Sequence, residues 1–169
     1  MYFKLMNNLK KIQTIIGTCF LTIFLLAILI QIITRYMKIS VLWTEEIANF
    51  SFIWAIFMGA AVMVKEKEHF FFSYFLEKAK GRNKKTLLII NYIVMLTFTL
   101  VVFYYGVNLT LAFWDYNWNT IQEFKMGYIW LCIPISMATM SFYIIEMIIK
   151  TIFSSEKENF LKVEEGSKC

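Results

Sequence analysis

Four stretches carry no Asp, Glu, Lys, Arg or His for long enough to cross a bilayer: residues 12–34, 47–64, 86–114 and 126–145. A crossing takes about 20 residues, because ~30 Å of hydrocarbon is traversed at ~1.5 Å per residue. The second stretch is short by charge alone and extends back to Trp43 at the interface; the fourth extends on to about residue 149. The third is too long for a straight crossing and must tilt or protrude. Helices are required, since a backbone in lipid must pair its N–H and C=O groups within its own segment unless a barrel closes. The two-residue alternation of barrel strands is absent. The pattern predicts an all-α integral membrane four-helix bundle over residues 1–152. Its spans lie near 12–34, 43–64, 86–114 and 126–149, and a charged cytoplasmic tail of residues 153–169 reads as solvated and disordered.

Between the second and third spans, residues 70–85 place Phe70, Phe71, Phe72, Tyr74 and Phe75 ahead of a basic tract ending at Lys84 and Lys85. This amphipathic segment either lies in the interface, aromatics in lipid and lysines on headgroups, or packs beneath the bundle. Gly81 would end it. Pro134, the only proline, should kink the fourth span.

Composition agrees. The 169 residues are 59% hydrophobic and 17% charged, where soluble domains carry about 25% charged residues. Only Arg35, Lys38 and Lys125, three of the 17 basic residues, fall in the first and third connections. The remainder flank the chain ends or the middle loop, so the positive-inside rule places those in the cytoplasm. The net charge of +5 faces membrane lipid headgroups in this reading, and no nucleic-acid partner is expected. The N-terminal apolar stretch is too long for a signal peptide and lacks a cleavage site, so it reads as a retained anchor. Cys19, Cys132 and Cys169 form no metal or disulfide spacing.

The first connection and the helix after it hold the most informative residues: Arg35, Tyr36, Trp43, Thr44, Glu45 and Glu46. Thr44 is placed to cap the second helix, and the two carboxylates in its first turn complement the helix dipole. An ion pair of Arg35 with Glu45 or Glu46 would fix the first two helices together. Trp43, Phe50, Trp54 and Phe57 share one helix face, and Gly59, Ala60 and Ala61 allow close helix approach. His69 reads as an interfacial hydrogen-bonding group, since a lone histidine cannot form a bis-His haem site and no Cys/His cluster supports a metal. Glu146 is spaced to pair with Lys150. Gln31, Asn91 and Asn108 are expected to hydrogen-bond across helices. No nucleophile–base pair, mid-span carboxylate pair or phosphate loop is present, so neither catalysis nor autonomous transport is expected, and no cofactor or metal site.

The order Arg35-Tyr36, Trp43-x-Glu45-Glu46, Trp54, Gly59-Ala60-Ala61 and His69, with Tyr128-x-Trp130 and Ile133-Pro134 later, resembles the small membrane subunit of tripartite ATP-independent periplasmic (TRAP) transporters, the DctQ-like family. The likeness covers roughly residues 10–150. It departs at Asn49 and at Lys65 and Lys67, where the family often has arginine, and lysine lacks the bidentate fork. The resemblance implies a scaffold in a bacterial inner membrane, both termini cytoplasmic. It would bind a large multi-span subunit that holds the substrate and sodium sites, and a periplasmic substrate-binding protein would deliver an organic acid such as a C4-dicarboxylate or sialic acid. Two other readings are a self-contained small exporter acting as a homo-oligomer, and a membrane redox subunit.

Overall fold

A computed structural model describes residues 2–66 and 82–166 of the chain. Its helices are α1 (Tyr2–Tyr36), α2 (Trp43–Lys65), α3 (Arg82–Ala112), the single turn α4 (Gly127–Trp130) and α5 (Cys132–Gly166). Four segments are long and apolar enough to span a membrane: Met6–Tyr36, Trp43–Lys65, Thr86–Ala112 and Gly127–Phe153. The protein is an all-α, multi-pass membrane bundle. One end, here the terminus end, carries the start of α1 and the end of α2. The opposite, loop end carries the 37–42 and 113–126 connections.

The helices pack α1 on α2, α2 on α5 and α5 on α3, so the last span sits between the second and third. Half of the apolar window of α5 is buried, against 6% of that of α1. The fourth span is therefore the pillar, and the first is a peripheral helix whose leucines and isoleucines face lipid. Tyr143, Ile144, Cys132, Met137 and Met140 of α5 meet Ala61 and Val64 of α2 and Tyr92 of α3 in the core.

Glycines let backbones approach at two points. Gly106 of α3 leaves no room for a methyl group: a Cβ there would lie 2.6 Å from Cγ2 of Ile133. At Gly17 of α1 a Cβ would sit 3.4 Å from Cβ of Met58 and 3.8 Å from the backbone nitrogen of Gly59. The close approach of α1 and α2 thus comes from the glycine of the first helix. Gly59 itself has open space at its Cβ position, while Ala61, two residues on, is fully buried.

Helix ends differ from expectation in three places. Leu42, not Thr44, is the N-cap of α2, with no side-chain cap bond. Thr44 is fully buried and donates back to the Val41 carbonyl at 3.0 Å, because helix α2 begins one residue before it. Pro134 does not bend a continuous helix. It lies in the first turn of α5, just past a break at Leu131 that separates α4 from α5. The ring lacks the N–H that would bond the Trp130 carbonyl and crowds that same carbonyl, so the helix is interrupted rather than curved. Finally, α5 continues through residues 153–166, where the charge pattern predicted a disordered tail. α1 closes with Ile39 N–H on the Thr34 carbonyl (2.9 Å) and Lys38 N–H on that of Arg35 (3.1 Å). Lys38 is left-handed at φ 58°, a Schellman closure without its usual glycine.

The amphipathic segment between the second and third spans, with His69 and Gly81, lies outside the described residues.

Candidate functional site

The fold places most polar side chains of the described spans at the ends of the bundle or between helices. They form two clusters, one at each end.

At the loop end, Glu46 organises the cluster. Its Oε1 accepts the backbone N–H of Asn119 and its Oε2 that of Thr120, both at 3.0 Å. A carboxylate accepting two amides makes charge-assisted bonds, so the first turn of α2 clamps the 113–126 connection. One turn further, Phe50 packs on Trp118, ring centroids 4.4 Å apart, and Trp118 packs on Phe124 at 5.4 Å. The connection is held in a hairpin-like shape by Trp118 N–H on the Phe124 carbonyl (2.9 Å) and Met126 N–H on that of Tyr116 (2.7 Å). Trp114 closes it below, against Tyr128 at 5.7 Å, and a Cβ on Gly127 would strike the Trp114 ring at 2.6 Å.

The predicted pair of Arg35 with Glu45 or Glu46 does not form. Among the described residues Arg35 and Glu45 make no ion pair, and both are exposed. The reason is local: Arg35 is carried outward in the closing turn of α1, while both oxygens of Glu46 are turned to the backbone amides of Asn119 and Thr120. Tyr36 is also exposed, and Trp43 is 40% exposed at the rim of the bundle. Trp54 packs inside, stacked on Phe20 at 5.1 Å, and Ala60 lies against the core. Trp130 packs on Phe113 with centroids 6.0 Å apart, whereas Tyr128 is more than half exposed. The sequence-predicted residues thus divide: Glu46, Trp54, Ala60, Tyr128 and Trp130 make inter-element contacts, while Arg35, Tyr36 and Glu45 form no side-chain hydrogen bond, ion pair or ring contact among the described residues.

At the terminus end, Glu146 is the centre. Its side chain is 3% exposed, bridging Lys65 of α2 and Lys150 of its own helix, the latter at 2.7 Å. The i, i+4 partner is as the spacing predicts; Lys65 is an addition only the fold supplies. Lys65 Nζ also lies 5.4 Å from the centroid of Tyr143. The Tyr143 hydroxyl donates to Oε1 of Gln13 and Nε2 of Gln13 donates to the Thr139 hydroxyl, both at 2.7 Å. Lys10 of α1 pairs with Glu66 just past α2. Ser141 donates to Thr99 at 3.0 Å, joining α5 to α3. These, rather than Gln31, Asn91 and Asn108, are the cross-helix polar contacts. The amides of Asn91 and Asn108 bond within α3, to Met95 sulfur and the Tyr104 carbonyl, because each faces along its helix rather than into the bundle.

A groove of about 390 Å³ opens on α3 and α5, lined by Phe103, Val107, Leu111, Trp114, Leu131, Pro134 and neighbours. Thr110 in its lining donates to the Gly106 carbonyl at 2.8 Å, and no charged side chain lines the groove to meet an anionic solute. No group of His, Cys, Asp and Glu able to hold a metal ion occurs among the described residues.

Residues 24–154 match the family described as tripartite ATP-independent periplasmic transporters, DctQ component. The chain belongs to this DctQ family. It is a small membrane subunit of a TRAP transporter, a transport component, and both clusters lie at least partly within the matched region. No curated protein matches the chain.

Proposed function

We propose that this DctQ-family chain acts as the scaffold of a sodium-driven importer of an organic acid, a C4-dicarboxylate, a sialic acid or a similar carboxylate. It braces a large membrane subunit, which holds the substrate and sodium sites, and offers its loop end to a periplasmic substrate-binding protein. In this reading it lies in a bacterial inner membrane with both termini cytoplasmic, as the placement of Lys and Arg favours. The loop end is then periplasmic, where Glu46 and Phe50 hold the 113–126 connection in a fixed shape for docking. The chain itself catalyses nothing and binds no cofactor.

One observation carries the proposal: Gln13, Thr99, Ser141, Tyr143 and Glu146 within the spans tie helix to helix, and the groove on α3 and α5 is apolar. A transporter core instead places ionisable groups at a cavity near the midplane. The test is uptake of labelled organic acids into proteoliposomes under a sodium gradient. Uptake is expected only when the chain, the large subunit and the binding protein are all present. Uptake by the chain alone would support the self-contained transporter, and a haem or flavin absorbance band in the purified chain would support the redox subunit.

A further inference from the structure

A span that faces only lipid should show no unsatisfied polar side chain, because hydrocarbon supplies no hydrogen-bond partner. Most lipid-facing surfaces of this bundle obey the rule. On α5 the exposed residues Ile135, Phe142, Ile145 and Ile149 are apolar. On α1, exposed Thr14 and Thr22 donate to the carbonyls one turn back, at 2.9 Å each, and the exposed Thr18 hydroxyl is an isolated exception. One face of α3 departs from the rule at three neighbouring side chains.

Tyr104 and Tyr105 are 64% and 66% exposed, and their rings meet edge to face at 5.4 Å. Neither hydroxyl has a partner among the described residues. Asn108 is exposed on the same side, four residues above Tyr104. Its amide nitrogen reaches the Tyr104 carbonyl at 3.1 Å, and its carbonyl oxygen accepts no bond among the described residues. The face continues toward the terminus end through Val101 and Thr97 as a flat strip of β-branched side chains.

Depth makes this costly. Thr86–Ala112 spans about 40 Å at ~1.5 Å per residue, about 10 Å more than the hydrocarbon. With the overhang shared, the Tyr104 Cα lies about 7 Å inside the hydrocarbon boundary. Side chains lean toward the N-terminus of their helix, and α3 starts at the terminus end. The two hydroxyls therefore point deeper, away from the nearest headgroups. Asn49 of α2 is also exposed, but α2 starts at the loop end, so its amide leans outward to water.

We propose that this face of α3, centred on Tyr104, Tyr105 and Asn108, is where a transmembrane helix of the large membrane subunit packs. The facing helix presents small residues, which admit the two rings, and backbone or side-chain groups that pair with the hydroxyls and the Asn108 carbonyl. The assignment rests on the reading of the chain as a subunit that grips a large partner.

The test places a photo-crosslinking amino acid singly at 104, 105 and 108, with Leu25 of α1 and Ile145 of α5 as lipid-facing controls. The partner is the large subunit co-expressed in native membranes, and products are identified by mass spectrometry. Crosslinks to the large subunit from the α3 positions, at about tenfold the control yield, are expected. The Y104F/Y105F/N108L variant should recover about tenfold less large subunit while its own thermal stability stays unchanged. Crosslinks to the large subunit from Leu25 or Ile145 but not from α3 would overturn the assignment and leave the scaffold reading standing. So would α3 crosslinks to a second copy of this chain beside normal co-purification of the large subunit. A wild-type chain that neither co-purifies with nor crosslinks to the large subunit would overturn the scaffold reading, and this assignment with it.

Discussion

Replacing Glu146 by leucine tests the terminus-end cluster most sharply. The carboxylate is 3% exposed, and the Lys65 side chain that it pairs with is 11% exposed. Its removal leaves the Lys65 ammonium beside the Tyr143 ring with no counter-charge. Breaking a buried pair on one side costs about 3–5 kcal/mol. Lys65 is the last residue of α2 and can swing toward water, so the lower end, about 3 kcal/mol, is expected for E146L. Lys65→Met alone leaves Glu146 still paired with Lys150 at 2.7 Å and should cost less, about 1–2 kcal/mol. Removing both at once, K65M/E146L, substitutes apolar volume for an ion pair and should return most of the stability, since such replacements are often neutral or better. The three variants with wild type form a double-mutant cycle, read by equilibrium unfolding in mixed micelles. A coupling of about 2 kcal/mol or more is expected. Strict additivity, with the double variant as weak as the sum of the singles, would refute the view that a desolvated pair locks α2 to α5.

Three further outcomes follow from the same geometry. Gly106→Ala drives a methyl into Ile133 at 2.6 Å and should destabilise the bundle by about 1–3 kcal/mol; pairing it with Ile133→Ala should restore part of that in the same unfolding assay. Glu46→Ala removes the acceptor for the Asn119 and Thr120 amides, and hydrogen exchange should then speed up at those two amides by about tenfold or more. Arg35→Ala removes a side chain with no ion pair among the described residues, so the isolated chain should keep its stability to within about 0.5 kcal/mol in the same unfolding assay.

The spans were legible because lipid imposes one dominant rule, and charge-free length reveals it. Glu146 with Lys150 was legible for a similar reason, four residues on one helix being a local relation. Lys65, 81 positions away in the chain, could be matched to Glu146 only once α2 and α5 lay side by side. Glu46 shows the other limit. Its importance was readable from its place in a helix's first turn, but not its partners, which are backbone amides and carry no sequence signature. The expected Arg35 pair failed because two opposite charges near one end of the bundle need not face each other. Gly106 and Gly17 carry no clear signal, since a lone glycine in an apolar helix is ambiguous between slack and close approach. The run at 59–61 is the stronger small-residue pattern, yet Gly59 has open space beside it. The close contact falls instead at Gly106, whose missing side chain leaves room for Ile133 of the facing helix.

The central claim is that these helices hold another membrane protein and not a solute. The direct measurement is the mass of the particle extracted from the native membrane in mild detergent by a tag on this chain. The account predicts a stable complex with a single large multi-span subunit, surviving gel filtration. A particle containing only this chain, whether one copy or several, would contradict it.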